Sequence, residues 1–139
     1  MAVKAKVLRY DVEVARGGRA TAGGEAPLDL DPAWSPEHLL LAGLVRCSLQ
    51  SLRYHARRAG LDVVGSGSVH GTVTKRESDG RYALVEAECT LEAELDPAPP
   101  LDELRALLVK AERDCFVSAS LAIAPRYRWT VNGDEVEVG

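Results

Sequence analysis

The order of apolar patterns along the chain predicts an α+β fold, with antiparallel sheets packed on a long central helix and a second helix. Three observations carry this reading. Short alternating segments broken by Gly-Gly pairs come first. A long run that is apolar nearly all round, framed by helix start and stop signals, follows. A strand of strict alternation then leads through a proline-rich connection into a second helical pattern.

Between Val3 and Val14 the apolar residues occupy odd positions (Val3, Ala5, Val7) and then even ones (Leu8, Tyr10, Val12, Val14), the pattern of a strand with a bulge or a change of buried face. Gly17-Gly18 makes a hairpin turn, so Arg19 opens the second strand at a rim position. Gly23-Gly24 and the Leu28 to Leu30 segment give a further turn and a short strand. Ser35 followed by Pro36 is an N-cap with proline at the first helical position, and Glu37 suits the positive end of the helix dipole. The helix runs from Pro36 to about Ala59. Leu39, Leu40, Leu41, Ala42, Leu44, Val45, Leu49 and Leu52 surround it, as expected of a buried central helix, and Gly60 stops it. Val63, Val69 and Val73 alternate with polar residues, and Ser78-Asp79-Gly80 turns the chain. Val85, Ala87, Cys89, Leu91, Ala93 and Leu95 then face a core while Glu86, Glu88, Thr90, Glu92 and Glu94 face water. Leu101, Leu104, Leu107, Leu108 and Ala111 recur at helical spacing up to about Asp114. Tyr127, Trp129 and Val131 form a last strand, with Asn132-Gly133 turning into a short Val136 to Val138 tail. Two hairpin signals favour antiparallel pairing.

A chain of 139 residues, 46% of them hydrophobic and 27% charged, is expected to make one domain spanning residues 1–139. Seventeen Lys and Arg against twenty-one Asp and Glu leave a net charge of −4, which speaks against nucleic-acid or anionic-lipid binding. No stretch approaches the roughly 20 apolar residues of a membrane span, and Met-Ala-Val-Lys-Ala-Lys leads directly into the alternating pattern. The expectation is a cytoplasmic protein.

The chemistry rests on three cysteines, none in a CxxC pair, which a reducing compartment leaves as buried or redox-active thiols. Cys89, on the apolar face of the regular strand, reads as a small hydrophobe. Cys47, in the middle of the long helix, reads either as a core thiol or as a functional one. Cys115 stands at the start of a new turn after the second helix, where backbone amides favour a thiolate, and the same two readings apply. His38, His55 and His70 are scattered singly, so a metal site is not expected. Ser48, Ser51 and Ser118 lack a nucleophile elbow, and no histidine has an evident orienting carboxylate, so serine hydrolase chemistry is not expected either. Neither Gly17-Gly18 nor Gly65-Ser66-Gly67 makes a phosphate loop.

Taken together, the segments around two of these thiols resemble one family. The run from Ser35-Pro36-Glu37-His38 through Leu39-Leu40-Leu41-Ala42-Gly43-Leu44-Val45-Arg46-Cys47 is similar to the NPEQLFAAGYAAC-type segment of the OsmC/Ohr family, thiol peroxidases that reduce organic hydroperoxides. Cys115-Phe116-Val117-Ser118-Ala119-Ser120-Leu121 is similar to its second motif, CPVSNSL. The element order also resembles the family's over essentially the whole chain. Carried over residue by residue, the resemblance makes Cys47 the reactive cysteine, Cys115 the second cysteine and Glu37 the carboxylate. The family's arginine falls on Arg19, with Arg16 as the fallback. Three residues depart from the pattern: Arg46 stands where a small residue is usual, Phe116 replaces proline, and His38 replaces glutamine.

The resemblance implies a cycle in which Cys47 attacks a peroxide to give a sulfenic acid, Cys115 condenses with it to a disulfide, and an external dithiol, possibly lipoyl-type, reduces the enzyme. The peroxide is organic, or hydrogen peroxide as a second substrate, and no metal, haem or flavin is required. Arg19 would stabilise the thiolate and Glu37 would hold that arginine. Glu37 and Cys47 are ten residues apart, about 15 Å of helical rise and roughly 80° off a common face, so one straight helix cannot bring both to one peroxide. Either the helix is broken or subunits share the site, and the family's intertwined homodimers fit the second option. Two other readings stand beside the peroxidase: a non-enzymatic small-molecule binding protein of the same fold, and another thiol-disulfide redox enzyme.

Overall fold

A computed structural model describes residues 5–138. Its contacts fall into two compact units, Met1–His38 and Leu39–Gly139. The first unit carries a three-stranded antiparallel sheet of β1 (Val12–Val14), β2 (Arg19–Ala22) and β3 (Pro27–Asp29), in that order. The β1–β2 turn is closed by Gly18 N–H donating to the Ala15 carbonyl at 2.9 Å, with Gly18 at φ 95°, a conformation that favours glycine. Arg19 opens β2 as expected. The expected strand from Val3 to Val14 is shorter: Val3 lies outside the described residues, and residues 5–11 pair with no strand among those described. Alternation alone does not make a strand where the backbone has no ladder to join.

Helix α1 runs unbroken over Pro36–Arg58. Its start is a capping box in which His38 takes the place of the usual Glu or Gln. Ser35 Oγ accepts from His38 N–H at 3.3 Å, and His38 Nδ1 accepts from Ser35 N–H at 3.1 Å. At the other end Gly60, at φ 80°, forms a Schellman motif: Gly60 N–H donates to the Arg57 carbonyl at 3.0 Å and Leu61 N–H to the Ala56 carbonyl at 2.9 Å. The helix is buried on one face only, through Leu44, Ser48, Ser51, Leu52 and Ala56. Leu39 and Leu40, expected in a core, are 37% and 42% exposed.

The larger unit holds the four-stranded sheet β4 (Asp62–Lys75), β5 (Tyr82–Asp96), β6 (Arg126–Val131) and β7 (Asp134–Val136), in sequence order. Ala87, Cys89, Leu91, Ala93 and Leu95 of β5 are buried on the predicted face. A register shift at Thr72/Val73, opposite Val85, bends the pair near its turn. β6 pairs with β5 in parallel, where sequence reasoning favoured antiparallel pairing throughout. Two helices between these strands, α2 (Leu101–Arg113) and α3 (Phe116–Ser120), carry the chain back to the start of the sheet, as a parallel crossover requires. Asn132 and Gly133, at φ 50° and 85°, form the predicted two-residue hairpin turn into β7.

The α1–β4 contact is made by three glycines in one strand. A Cβ on Gly65 would stand 2.8 Å from Leu49, one on Gly71 3.0 Å from Leu41, and one on Gly67 2.4 Å from Leu91, 3.0 Å from the Thr90 carbonyl and 3.4 Å from Val45. Gly67→Ala therefore overpacks a site with backbone on one side. The expected loss is about 1–3 kcal/mol of unfolding free energy in urea titrations; an unchanged midpoint would contradict the packing described.

Candidate functional site: a pair of thiols at the start of a short helix

α1 carries Cys47 on the flank of its buried face, half-buried, and the α2–α3 junction carries Cys115, fully buried. Both are free thiols. The Cys47 thiol is near enough to that of Cys115 and to the backbone N–H groups of Val117 and Phe116, at the start of α3, for all three to act on its ionisation. Burial and the neighbouring thiol push its pKa up, while the two amides pull it down, and burial is the largest influence. Cys115 caps α3, its Sγ accepting from Ser118 N–H at 3.5 Å. The structure thus brings together the two cysteines that the sequence singled out.

Beneath them lies a polar group that sequence reasoning missed. Ser48 Oγ donates to the Leu44 carbonyl at 2.8 Å, stands 3.5 Å from Cys115 Sγ and shares a 2.9 Å hydrogen bond with the Tyr127 hydroxyl. Tyr127 stacks on Trp129 at 6.0 Å between ring centroids, and burial pushes its pKa up to about 12. Trp129 Nε1 donates to Glu112 at 2.9 Å. Burial also lifts Glu112 above the ordinary carboxylate range. The signal available in the sequence was a serine on the same helical stripe as Leu44 and Leu52. Cys89 is buried in the core as expected, and burial pushes it up to about 11.

Arg19 and Glu37 belong to the smaller unit. Arg19 meets Asp29 across the β2–β3 pair, Nε to Oδ1 at 2.9 Å and Nη2 to Oδ2 at 3.4 Å, on an exposed surface. The Glu37 carboxylate sits below its ordinary pKa, held by its own backbone amide and by the Ser35 hydroxyl. Arg46 is not among the groups acting on Cys47. It lines a groove of about 780 Å³ with Gln50, Arg53, Tyr54 and Arg57, and neither cysteine forms part of that wall.

One histidine does find a carboxylate, contrary to the sequence reading: His55 Nε2 lies 2.7 Å from Asp114 Oδ2, tying α1 to the residue before Cys115. Its neighbour Ser51 has a buried Oγ with no hydrogen-bond partner among the described residues, so no nucleophile–base pair results. Among the described residues no three His, Cys, Asp or Glu side chains converge as a metal ligand set, and no helix is long and apolar enough to cross a membrane.

The family model described as OsmC-like protein matches residues 28–130, a stretch that includes Glu37, Cys47 and Cys115 but not Arg19. The chain belongs to the OsmC-like family. No curated protein matches it. Among solved structures, an OsmC-like protein of unknown function from Vibrio cholerae is similar with a TM-score of 0.70 at 14% identity, covering 89% of this chain and all (100%) of that one. An OsmC-like protein from Mycoplasma pneumoniae gives 0.67 at 16% identity over 89% and 97% of the two chains. The organic hydroperoxide resistance protein OhrB of Bacillus subtilis gives 0.52 at 19% identity over 89% and 96%. The shared architecture is the OsmC/Ohr fold.

The junction that holds Cys115 has a pH signature. The Arg113 guanidinium, followed by His55, pulls the Asp114 carboxyl down to about 2. A group depressed on folding contributes stability above its unfolded value, near 4, and loses it as pH falls through the folded value. Urea midpoints of the wild type and Asp114→Asn should differ fully at pH 6 and converge between about pH 4 and pH 2; a gap independent of pH would show that the charge is not what stabilises the junction.

Proposed function

We propose that this OsmC-like protein is a thiol-dependent peroxidase that reduces organic hydroperoxides to alcohols, with Cys47 as the attacking sulfur and Cys115 as the resolving one. The observation that carries the reading is that the half-buried Cys47 thiol lies near enough to Cys115 and to the Val117 and Phe116 amides for each to act on its ionisation. Such amides stabilise sulfur-centred negative charge, and a second thiol nearby is the partner with which a sulfenic acid closes a disulfide. The Cys47 thiolate attacks the terminal peroxide oxygen, the O–O bond breaks, and the departing alkoxide takes a proton to become the alcohol. Cys115 then attacks the sulfenic acid, releasing water and leaving a Cys47–Cys115 disulfide. An external dithiol, of lipoyl type or another small carrier, returns both sulfurs to thiols.

Three features support an organic substrate and a shared site. Phe116, 69% exposed and next in sequence to Cys115, and Leu40, two turns before Cys47, offer apolar surface to an alkyl chain. α1 is unbroken from Pro36 to Arg58, so the Glu37 to Cys47 separation of about 15 Å stands. The smaller unit buries just Ala20 among its described apolar residues while Val7, Leu8, Tyr10, Val12 and Val14 are more than 60% exposed. A three-stranded sheet with so little core needs a further surface to cover it. A homodimer meets both requirements, with Arg19 of one subunit bringing positive charge to Cys47 of the other and Glu37 holding that arginine. The protein acts in the cytoplasm, where thiols stay reduced between turnovers.

The upward displacement of Cys47 favours a second reading, a ligand-binding member of the fold with inert thiols. One experiment separates the two. After one equivalent of cumene hydroperoxide, peptide mapping by mass spectrometry should find a Cys47–Cys115 disulfide in the wild type and a trapped Cys47 sulfenic acid in Cys115→Ser. Proteins that stay reduced while the peroxide persists would overturn the peroxidase reading in favour of binding.

A further inference from the structure

We infer that Ser48 is a positioning residue for the second cysteine, its hydroxyl able to turn from the Leu44 carbonyl to Cys115 Sγ when that sulfur becomes a thiolate. The inference rests on the peroxidase reading for its place in the cycle and on geometry for its existence. Cys115 is 0% exposed, so no bulk water solvates the anion that must attack the Cys47 sulfenic acid. The donors that reach its sulfur from outside the thiol pair are Ser118 N–H and Ser48 Oγ–H, each at 3.5 Å. The first is fixed by the α3 backbone, whereas the second is a rotor.

Ser48 has one proton and three polar neighbours. With Cys115 protonated, the short bond to Leu44 at 2.8 Å takes that proton, and the Tyr127 hydroxyl at 2.9 Å donates to Oγ. When Cys115 loses its proton, rotation about the Ser48 Cα–Cβ bond brings the donor onto a charged acceptor, a stronger bond than the one given up. The Tyr127 donor still holds Oγ in place. The Leu44 carbonyl is not left bare, because the backbone N–H of the buried helix already reaches it. In the resolving step the S–S bond forms as the S–O bond of the sulfenic acid breaks, and the leaving hydroxide combines with the proton released by Cys115 to give water. The titratable groups facing Cys115 are Cys47 from α1, Cys89 from β5 and Tyr127 from β6.

Carbon-13 NMR at the Cβ of labelled cysteine titrates each thiol separately in the intact protein. In Ser48→Ala the midpoint of Cys115 should rise by about one pH unit or more, the loss expected for a hydrogen bond to a charged group. Ser48→Thr, which restores the hydroxyl, should return Cys115 toward the wild-type value. Stopped-flow oxidation should show disulfide closure slowed about tenfold relative to sulfenic acid formation at Cys47. A Cys115 midpoint that is unchanged in Ser48→Ala, or that Ser48→Thr fails to return, overturns the inference. A wild type that forms no disulfide with peroxide would overturn the peroxidase reading while leaving the titration to decide the role of Ser48.

Discussion

Leu41, Val45 and Leu49 of α1 rest on a strand face from which side chains have been removed, at Gly65, Gly67 and Gly71 of β4. The close approach fixes the rotation of the helix about its own axis. With Val45 turned toward β4, a residue two positions on lies roughly 160° around the helix. Cys47 is thereby directed to the opposite flank, where α3 begins, and Ser48 is directed down between the two. A bulky side chain on β4 would lift α1 and change the distance from Cys47 to every group that acts on it. The site's geometry is in this sense set by a strand that contributes no chemistry to it.

Three thiols in the larger unit have different surroundings, and the differences are those that chemistry would need. Cys89 has burial and no donor, and is pushed up to about 11. Cys47 suffers the same penalty of burial but faces two α3 amides that offset part of it. Burial remains the largest influence, and no cation is among the groups acting on Cys47. A fast thiolate would therefore need a positive charge from outside this surrounding. Arg46 is adjacent in sequence and does not supply it, because one position along a helix is about 100° of rotation and carries its side chain to the outer groove.

Much of the fold was legible because its signals are local. Ser35-Pro36 at one end of α1 and Gly60 at the other, the alternation of β5 and the Asn132-Gly133 turn each depend on a few consecutive residues whose backbone preferences agree with the structure. What was not legible depends on partners far apart in sequence. The parallel β5–β6 pairing follows from where two intervening helices deliver the chain, which no alternation encodes. His55 meets Asp114 across 59 positions and Ser48 meets Tyr127 across 79. The cysteine pair was found through a resemblance between segments, whereas spacing alone left both thiols open between core and function. Leu39 and Leu40 in the first turns of α1 are exposed where a core was expected, because apolar residues on every side of a helix do not say which faces the chain's own core covers.

The polar content of the core now takes on meaning. Ser48 and Ser51 are the buried polar residues among those described, and both lie on the face of α1 that packs inward. An alanine at position 48 would fill nearly the same space and leave the Leu44 carbonyl with its helical bond, so helix packing does not call for the hydroxyl. Its other neighbours are the Tyr127 hydroxyl and Cys115 Sγ. Tyr127, in turn, keeps its hydroxyl in a place where burial drives it to about 12 and keeps it a neutral donor across the pH range in which thiols ionise. A hydroxyl pair of this kind adds no charge to the interior, yet it can solvate a charge that arises there briefly. On the proposed peroxidase cycle, such solvation is what the buried Cys115 sulfur would require in the one step in which it attacks.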